Sequence, residues 1–309
     1  MSGMGFQLKG QNIARSMLEH YLDRPAPPLL LLHGPSGVGK FSAAEWFVNC
    51  SLCETGNACG QCPSCRMFAR KEHPDYIIFP EDRILIGDDK QPAPFTVRWL
   101  IRTRIMYPPF KSERRFILIP RADLIQNEAE TALLKTLEEP PEHSRFIFLV
   151  EDLELLKETI VSRAVSIPFH LISSAAMAEL TGQADPYALD LMGGSLELAG
   201  LILDDSFRKL RERIDDGLAH PMGLHDLEIF VSQEKNFSEW KEHLERSYEE
   251  ILDLVGLMIL KSSERLPDFP DIAGAVFDLK AGLHMRMAGM THYHVSRFFA
   301  RLARILFGH

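Results

Sequence analysis

The sequence predicts an α/β fold built on a doubly wound parallel β-sheet, followed by an all-helical part. Three observations lead to this prediction. Short apolar runs of the kind found in buried parallel strands alternate with helical segments over the first 170 residues. A glycine-rich turn joins the first of these runs to a helix. From Ser173 onward, strand signals fade and apolar residues recur at helical spacing.

The composition is that of a globular protein, with 46% hydrophobic and 25% charged residues in a chain of 309. A net charge of -9 argues against a protein that holds DNA by itself through a broad basic face, so partners would have to supply much of the positive charge at a nucleic-acid contact. No apolar run approaches about 18 residues and the first residues lack an apolar core. We therefore expect neither a membrane span nor a signal peptide. The expected location is the cytoplasm.

The first apolar run, Leu29-Leu30-Leu31-Leu32, leads into His-Gly-Pro-Ser-Gly-Val-Gly-Lys-Phe-Ser at positions 33–42. This is the strand, turn and helix context of a phosphate-binding P-loop. Gly34, Gly37 and Gly39 permit the backbone angles that turn successive N–H groups toward an anion. Lys40 would reach the outer phosphates from the start of the helix. These four residues are the predicted nucleotide-binding residues.

One part of that motif differs. A hydrolytic P-loop has Ser or Thr after the lysine, and its hydroxyl holds the magnesium ion, whereas this chain has Phe41. Ser42 lies one position late and points about 100° away on a helix. The loop is thus predicted to hold phosphate but to be poorly built for hydrolysis. The alternative is a relic that keeps the turn of the fold and binds no nucleotide.

Further elements follow from the same patterns. Helices are expected at 10–22, from 41 to about 52, from 96 with Thr96 as the cap, and at 127–138. Further strands are expected at 76–80, 115–120 and 145–150, and a surface loop at 81–94. In the second part, Gly193-Gly194 should divide two short helices. Four or five amphipathic helices should follow from about 205, including a long one from 237 to about 261.

Four cysteines, Cys53, Cys59, Cys62 and Cys65, form the pattern C-x5-C-x2-C-x2-C. Close C-x2-C pairs let the backbone wrap one tetrahedral zinc ion, so we predict a zinc knuckle at 53–65. It would be structural, because four thiolates leave no coordination position for water. Cys50 competes with Cys53 for the first ligand position, but it lies about one turn inside the preceding helix. The alternative is a group of free or disulfide-forming cysteines.

Residues 127–141 read Asn-Glu-Ala-Glu-Thr-Ala-Leu-Leu-Lys-Thr-Leu-Glu-Glu-Pro-Pro. This stretch resembles the Ala-Leu-Leu-Lys-Thr-Leu-Glu-Glu-Pro-Pro segment of bacterial clamp-loader subunits, which are AAA+ proteins. The P-loop, the knuckle and His73-Pro74-Asp75-Tyr76 match the same family in the same order. So does Ser162-Arg163-Ala164, which is similar to the family's Ser-Arg-Cys motif with its last residue changed. The resemblance covers residues 10–170 and is only architectural beyond them.

The resemblance implies three domains. Residues 1–170 would form an AAA+ P-loop-like domain with the knuckle inserted, 171–204 a small helical lid, and 205–309 a helical collar that joins subunits in a ring of five. The implied partners are other clamp-loader subunits of the gamma/tau and delta types in a hetero-pentamer. The complex would also bring the chain to the sliding clamp and to primer-template DNA.

Within the family, the chain looks like the delta-prime type, which does not hydrolyse ATP, and unlike the ATP-hydrolysing gamma/tau type. The resemblance places the missing catalytic groups at four points: the magnesium ligand at Phe41, the paired acids at Pro120 and Arg121, the sensor threonine at Val150 or Glu151, and the lid's sensor arginine at Glu197. A proline and a cation can neither bind Mg²⁺ nor act as a general base.

Arg163 matches the family's arginine finger, which stabilises charge on the phosphoryl group of a neighbouring subunit's nucleotide. The simpler interpretation is an interface or surface ion pair. Two other functions stay open. One is a divergent, gamma-like ATPase that uses Ser42 and Asp123 as displaced ligands. The other is a free-standing zinc-binding DNA adaptor, which fits the knuckle but neither the acidic charge nor the clamp-loader segment.

Overall fold

A computed structural model describes residues 8–202, 204–244, 247–284 and 290–308. The chain divides after Ala176 into two compact units. The first unit contains a five-stranded sheet in the order β2-β3-β4-β1-β5, and every neighbouring pair is parallel. Its strands are β1 (Leu29–His33), β2 (Tyr76–Ile78), β3 (Arg115–Ile119), β4 (Ser144–Val150) and β5 (Val165–Pro168).

Side chains of the central strands enter two separate cores, one on each face of the sheet. On β1, Leu30 and Leu32 pack with the first core, and Leu29 and Leu31 with the second. This alternation is what a strand buried on both faces requires, and it explains the unbroken apolar run. The predicted α/β class with a parallel sheet is confirmed.

Helices cover both faces of the sheet. Helices α1 and α2 supply the first core, and α4 and α5 supply the second. The helices of this unit are α1 (Asn12–Leu22), α2 (Lys40–Leu52), α3 (Pro63–Ala69), α4 (Val97–Leu100), α5 (Asn127–Glu138) and α6 (Glu158–Val161), and α7 (Ser174–Thr181) spans the division between the units. A π-helical turn, Ile101–Ile105, continues α4.

Three elements of this unit, α3, α6 and β5, have no counterpart in the sequence prediction. The edge strand β5 is short and only Ile167 of it is buried, so it lacks the apolar run that marks the central strands. Helix α3 begins after Cys62, whose Sγ accepts the N–H of Cys65, and Pro63 stands at its first position. Proline is well suited there because its missing N–H is not needed in the first turn of a helix.

The second unit is helical throughout its described residues. Its helices are α8 (Pro186–Met192), α9 (Ala199–Ile202), α10 (Asp205–Ala219), α11 (Pro221–Val231), α12 (Ser238–Leu244), α13 (Tyr248–Ser263), α14 (Phe269–His284) and α15 (Thr291–Phe307). Gly193 ends α8 with a φ of 57°, as the Gly193-Gly194 break predicts. In the described part of the chain, no helix is long and apolar enough to cross a membrane.

The predicted long helix from 237 to about 261 is wrong. Helix α13 begins at Tyr248 after Ser247, whose extended backbone and capping box with Glu250 start a new helix. The region therefore contains both α12 and α13. Because of this division, the described residues from Asp205 onward form six helices and not the four or five predicted. The finer division of the helical part into a lid and a collar stays a prediction.

Candidate functional site

The glycine-rich loop lies between β1 and α2, at the carboxyl end of a central strand. Gly34, Gly37 and Gly39 have φ values of 137°, 69° and 94°, which residues other than glycine rarely adopt. At Gly34 a Cβ atom would also lie 2.1 Å from the carbonyl oxygen of Phe169. The loop therefore has the backbone shape predicted for it, and Gly34 is needed both for that shape and for the close approach of the chain that follows β5.

Lys40 opens α2 and folds back over the loop. Its Nζ donates hydrogen bonds to the carbonyl oxygens of Gly34 at 2.5 Å and Pro35 at 2.6 Å. A phosphate bound in this loop would have to exchange these two bonds for contacts with its own oxygens. The residues of an anion cradle are present, and the lysine is engaged with the loop itself.

The two residues after the lysine face different environments. Phe41 is half-buried and packs against the core formed by α1, α2 and one face of the sheet. Ser42 is exposed on α2. The phenyl ring thus contributes to packing, and neither position places a hydroxyl beside Lys40 in the way a magnesium site needs.

The end of β3 holds a proline and an ion pair. Pro120 is buried directly after the strand. The Nε and Nη2 atoms of Arg121 donate to Oδ1 and Oδ2 of Asp123 at 3.1 and 2.7 Å. Arg121 holds the pKa of Asp123 below its ordinary value, mainly through these hydrogen bonds, and the charge of Lys40 lowers that pKa further. Both carboxylate oxygens of Asp123 are therefore bound by an arginine.

The expected positions of the sensor threonine, after β4, and of the sensor arginine, in the helical unit, also lack catalytic groups. Val150 is buried at the end of β4, and its carbonyl oxygen and that of Glu151 accept the N–H of Gly34 at 3.3 and 3.2 Å. Glu197, in the helical unit, is an exposed acid in a short 3₁₀ helix. An apolar side chain and an acid cannot polarise or neutralise a phosphate.

Arg163 lies between α6 and β5, with 35% of its side chain exposed. Its Nη1 donates to the carbonyl oxygen of Thr159 at 2.8 Å, and its Nη2 donates to Oε1 of Glu138 at 3.0 Å. Glu138 is the last residue of α5, in the segment that carries the clamp-loader resemblance. The guanidinium is thus at the surface but held by two acceptors.

The structure brings together the four predicted cysteines. The Sγ atoms of Cys53, Cys59, Cys62 and Cys65 all lie within 4.8 Å of one another, and those of Cys53 and Cys62 are 4.0 Å apart. The N–H groups of Cys59, Cys62 and Cys65 each donate to the sulfur of the preceding cysteine of the cluster at 3.4 Å. Backbone N–H bonds of this kind favour thiolates, which are the metal-binding form.

Thiol acidity varies within this region. Backbone hydrogen bonds lower the pKa of Cys59, whereas burial raises the pKa of Cys65 and of Cys50. Burial alone would raise the pKa of Cys53, but hydrogen bonds from Thr55 and from backbone N–H groups outweigh it and bring the pKa to about 5. Burial raises the pKa of Cys50, inside α2, to about 11. Cys50 therefore favours the neutral thiol, as a buried core cysteine does.

The cluster fits a zinc ion chemically. Zinc–thiolate bonds of about 2.3 Å in a tetrahedron place sulfurs nearly 4 Å apart, close to the separation of Cys53 and Cys62. Four cysteine sulfurs with backbone N–H donors are the donor set of structural zinc sites. The four-cysteine cluster is therefore able to hold a metal ion.

A buried polar network went unrecognised in the sequence. Asp75 is fully buried and accepts the N–H groups of Phe110, Lys111 and Ser112 at 2.6, 2.7 and 2.8 Å. Its carboxylate also lies 3.8 Å from Nη2 of buried Arg115. These contacts fix the turn that enters β3. The signal was available in His73-Pro74-Asp75-Tyr76, but a sequence motif does not show which backbone groups its aspartate binds.

The parallel sheet, the glycine-rich loop after β1 and the all-helical second unit together define an AAA+-like fold. A family model described as "DNA polymerase III, delta subunit" matches residues 11–173, which is more than half of the chain. The chain belongs to this family of DNA polymerase III clamp-loader subunits.

Individual relatives carry two different names. The DNA polymerase III subunit gamma/tau of Mycobacterium tuberculosis is 31% identical over 192 residues, which cover 60% of this chain and 30% of that protein. The DNA polymerase III subunit delta' of Pseudomonas aeruginosa is 30% identical over 200 residues, 61% of this chain and 59% of that protein. This chain thus matches under two thirds of the length of each.

A solved structure shares the fold. A DNA polymerase III gamma subunit-related protein from Thermotoga maritima superposes with a TM-score of 0.55 at 13% identity, covering 95% of this chain and 99% of that one. At such low identity the likeness concerns the fold alone.

Proposed function

We propose that this chain is a non-catalytic, delta-prime-type subunit of the DNA polymerase III clamp loader. The observation that carries the proposal is the Arg121–Asp123 ion pair at the end of β3, where an ATPase member of the family would hold its acids. A magnesium ion there would meet a guanidinium, and the nearest displaced acid is already neutralised by it. Phe41, which is half-buried and packs against the core, supports the same conclusion.

The alternative is a divergent ATPase of the gamma/tau type. The mycobacterial relative of that name and the retained glycines and lysine of the loop favour it. It would need Asp123 to leave Arg121, and Ser42 to reach a metal from an exposed position on α2. Both requirements weigh against it.

In the proposed role, the chain is a scaffold in a hetero-pentamer with gamma/tau-type and delta-type subunits, and it takes part in loading a sliding clamp onto primer-template DNA. Residues 171–204 would act as a lid and 205–309 as a collar that joins the ring. Arg163 would act in trans, stabilising the charge of the phosphoryl group on a neighbouring subunit's nucleotide. Its partial exposure suits such a contact.

The cysteine cluster would hold one structural zinc ion in this proposal. Zinc would tie the end of α2, at Cys53, to the start of α3, at Cys62. It would have no part in hydrolysis, because four thiolates complete its coordination. The thiolates of an intact knuckle also require a reducing compartment, which agrees with the proposed cytoplasmic location.

The test is Arg163→Ala in a reconstituted loader in which only the site adjoining this chain is competent. We expect single-turnover ATP hydrolysis there to fall by roughly 10³, since a positioned arginine finger contributes about that much in rate. The isolated variant should fold and assemble normally, because a partly exposed ion pair contributes little stability. An unchanged rate, with assembly verified by gel filtration, would reduce Arg163 to an interface residue.

A further inference from the structure

We propose that Glu138 is a positioning residue for Arg163 and fixes the guanidinium in the orientation from which it acts on a neighbouring subunit's nucleotide. The inference rests on the proposed function of Arg163. It begins from one contact, the 3.0 Å hydrogen bond from Arg163 Nη2 to Glu138 Oε1. This contact joins α5 to the residues just after α6, which are 25 positions further along the chain.

Arg163 donates to a second acceptor besides Glu138, and the two contacts together define the orientation of its guanidinium. Nη1 donates to the carbonyl oxygen of Thr159 in α6, and Nη2 donates to Glu138 in α5. Because the guanidinium is planar and rigid, two acceptors on different elements define the plane in which it lies. A guanidinium has five N–H donors, so others remain for the oxygens of a phosphate.

Helix α5 also holds the beginning of the same segment. Lys157 Nζ lies 2.9 Å from Glu130 Oε2, and the backbone N–H of Lys157 donates to Glu130 Oε1 at 3.3 Å. Glu130 is buried, so this is the firmer of the two anchors. Glu130 and Glu138 are about two turns apart and lie on the same side of the helix. The residues from Lys157 to Arg163 are therefore attached to α5 at both ends.

Two opposing effects decide what Glu138 does to the reaction. Its charge offsets that of Arg163, which would weaken the finger. Its hydrogen bond restricts an otherwise mobile side chain, which removes an ordering cost from the reaction. Glu138 is 51% exposed and Arg163 35% exposed, so water screens the charges strongly. The orientation effect is the larger of the two.

The test uses the reconstituted loader with only the adjoining site competent. Glu138→Ala should slow single-turnover hydrolysis about tenfold without weakening nucleotide binding at that site, because the residue touches no nucleotide and acts through Arg163. Glu138→Gln keeps an oxygen acceptor for Nη2 without the charge, so it should restore most of the rate. Glu139→Ala removes the next acid along the chain and is the matched control, with an unchanged rate.

Arg163→Ala separates this inference from the proposed function. If Arg163→Ala is slow while Glu138→Ala is unchanged or faster, the positioning role is wrong and the proposed function stands. If Arg163→Ala itself is unchanged, the positioning role of Glu138 and the finger role of Arg163 are both wrong, and the chain would be a passive scaffold. An equal loss in Glu139→Ala would indicate a general charge effect and overturn the inference. The double variant should be no slower than Arg163→Ala alone, since a positioning residue has nothing left to position.

Discussion

The glycine-rich loop and the segment that carries Arg163 belong to the same unit, yet their key side chains are held in different ways. In the loop, Lys40 binds the loop's own carbonyl oxygens, and the nearby carboxylate of Asp123 is bound by Arg121. Around Arg163, α5 holds the segment at both ends and leaves part of the guanidinium at the surface. The lysine of the loop thus binds the loop's own backbone, whereas Arg163 is partly exposed at the surface. This difference agrees with the proposed function, in which Arg163 acts at another subunit's site.

The largest expected effect concerns zinc binding by the cysteine cluster at the end of α2, the helix that follows the glycine-rich loop. Purified protein should contain one equivalent of zinc by elemental analysis, because binding to four thiolates is worth on the order of 10 kcal/mol. Cys62→Ser should lose the metal and loosen the knuckle. Cys50→Ser, which alters a cysteine outside the cluster, is the control and should keep it.

If Cys50→Ser lost zinc and Cys53→Ser kept it, the assignment of the first ligand would be wrong. Loss of zinc should leave Arg163 functional in the assembled loader, since the knuckle contains neither Glu138 nor Thr159. An equal loss of the proposed finger activity in the zinc-free protein would mean that the Arg163 segment depends on the knuckle.

A smaller effect is expected from Gly34→Ala. A methyl group there would meet the carbonyl oxygen of Phe169 at 2.1 Å on a backbone with a φ of 137°, so the free energy of unfolding should fall by about 2 to 4 kcal/mol. Gly39→Ala shares the positive φ but has no heavy atom within 4 Å of the new Cβ atom. It should cost only about 1 to 2 kcal/mol.

Urea denaturation of the two glycine variants measures this difference directly. If the two variants lost equal amounts of unfolding free energy, the close approach to Phe169 would contribute nothing and the backbone angle would explain both losses. The larger loss at Gly34 would show that the loop contributes to the fold independently of any ligand.

The smallest effect concerns the Arg121–Asp123 ion pair. Because Arg121 lowers the pKa of Asp123, the pair stabilises the fold above the ordinary carboxyl pKa and loses this contribution as the pH falls through the lowered value. Arg121 is 43% exposed, so Arg121→Ala should cost at most about 1 kcal/mol at neutral pH. The difference from the parent protein should vanish in acid. A cost that grew as the pH fell would contradict the assigned ion pair.

The sequence predicted what local patterns determine. The strands β1, β3 and β4 are apolar runs buried on both faces, and the four clustered cysteines follow a short, regular spacing. Contacts between distant residues were not predictable in this way. Glu138 and Arg163 are 25 positions apart, and Asp75 binds backbone groups 35 to 37 positions away. Such pairs depend on the packing of whole elements.

Local signals also failed where two of them competed. Apolar periodicity continues across Ser247, and it suggested one long helix from 237 to about 261. The Ser247 and Glu250 capping box is equally local and starts α13 there. The edge strand β5 was missed because half-buried edge positions do not need an apolar run.

Steady-state ATP turnover by the purified chain tests most directly the claim that its own nucleotide site is inactive. Lys40→Ala is the matched variant, since it removes the side chain on which any P-loop hydrolysis depends. We expect both proteins to show turnover indistinguishable from background. Turnover that follows the polypeptide through successive columns and disappears in Lys40→Ala would contradict the claim and establish an ATPase of the gamma/tau type.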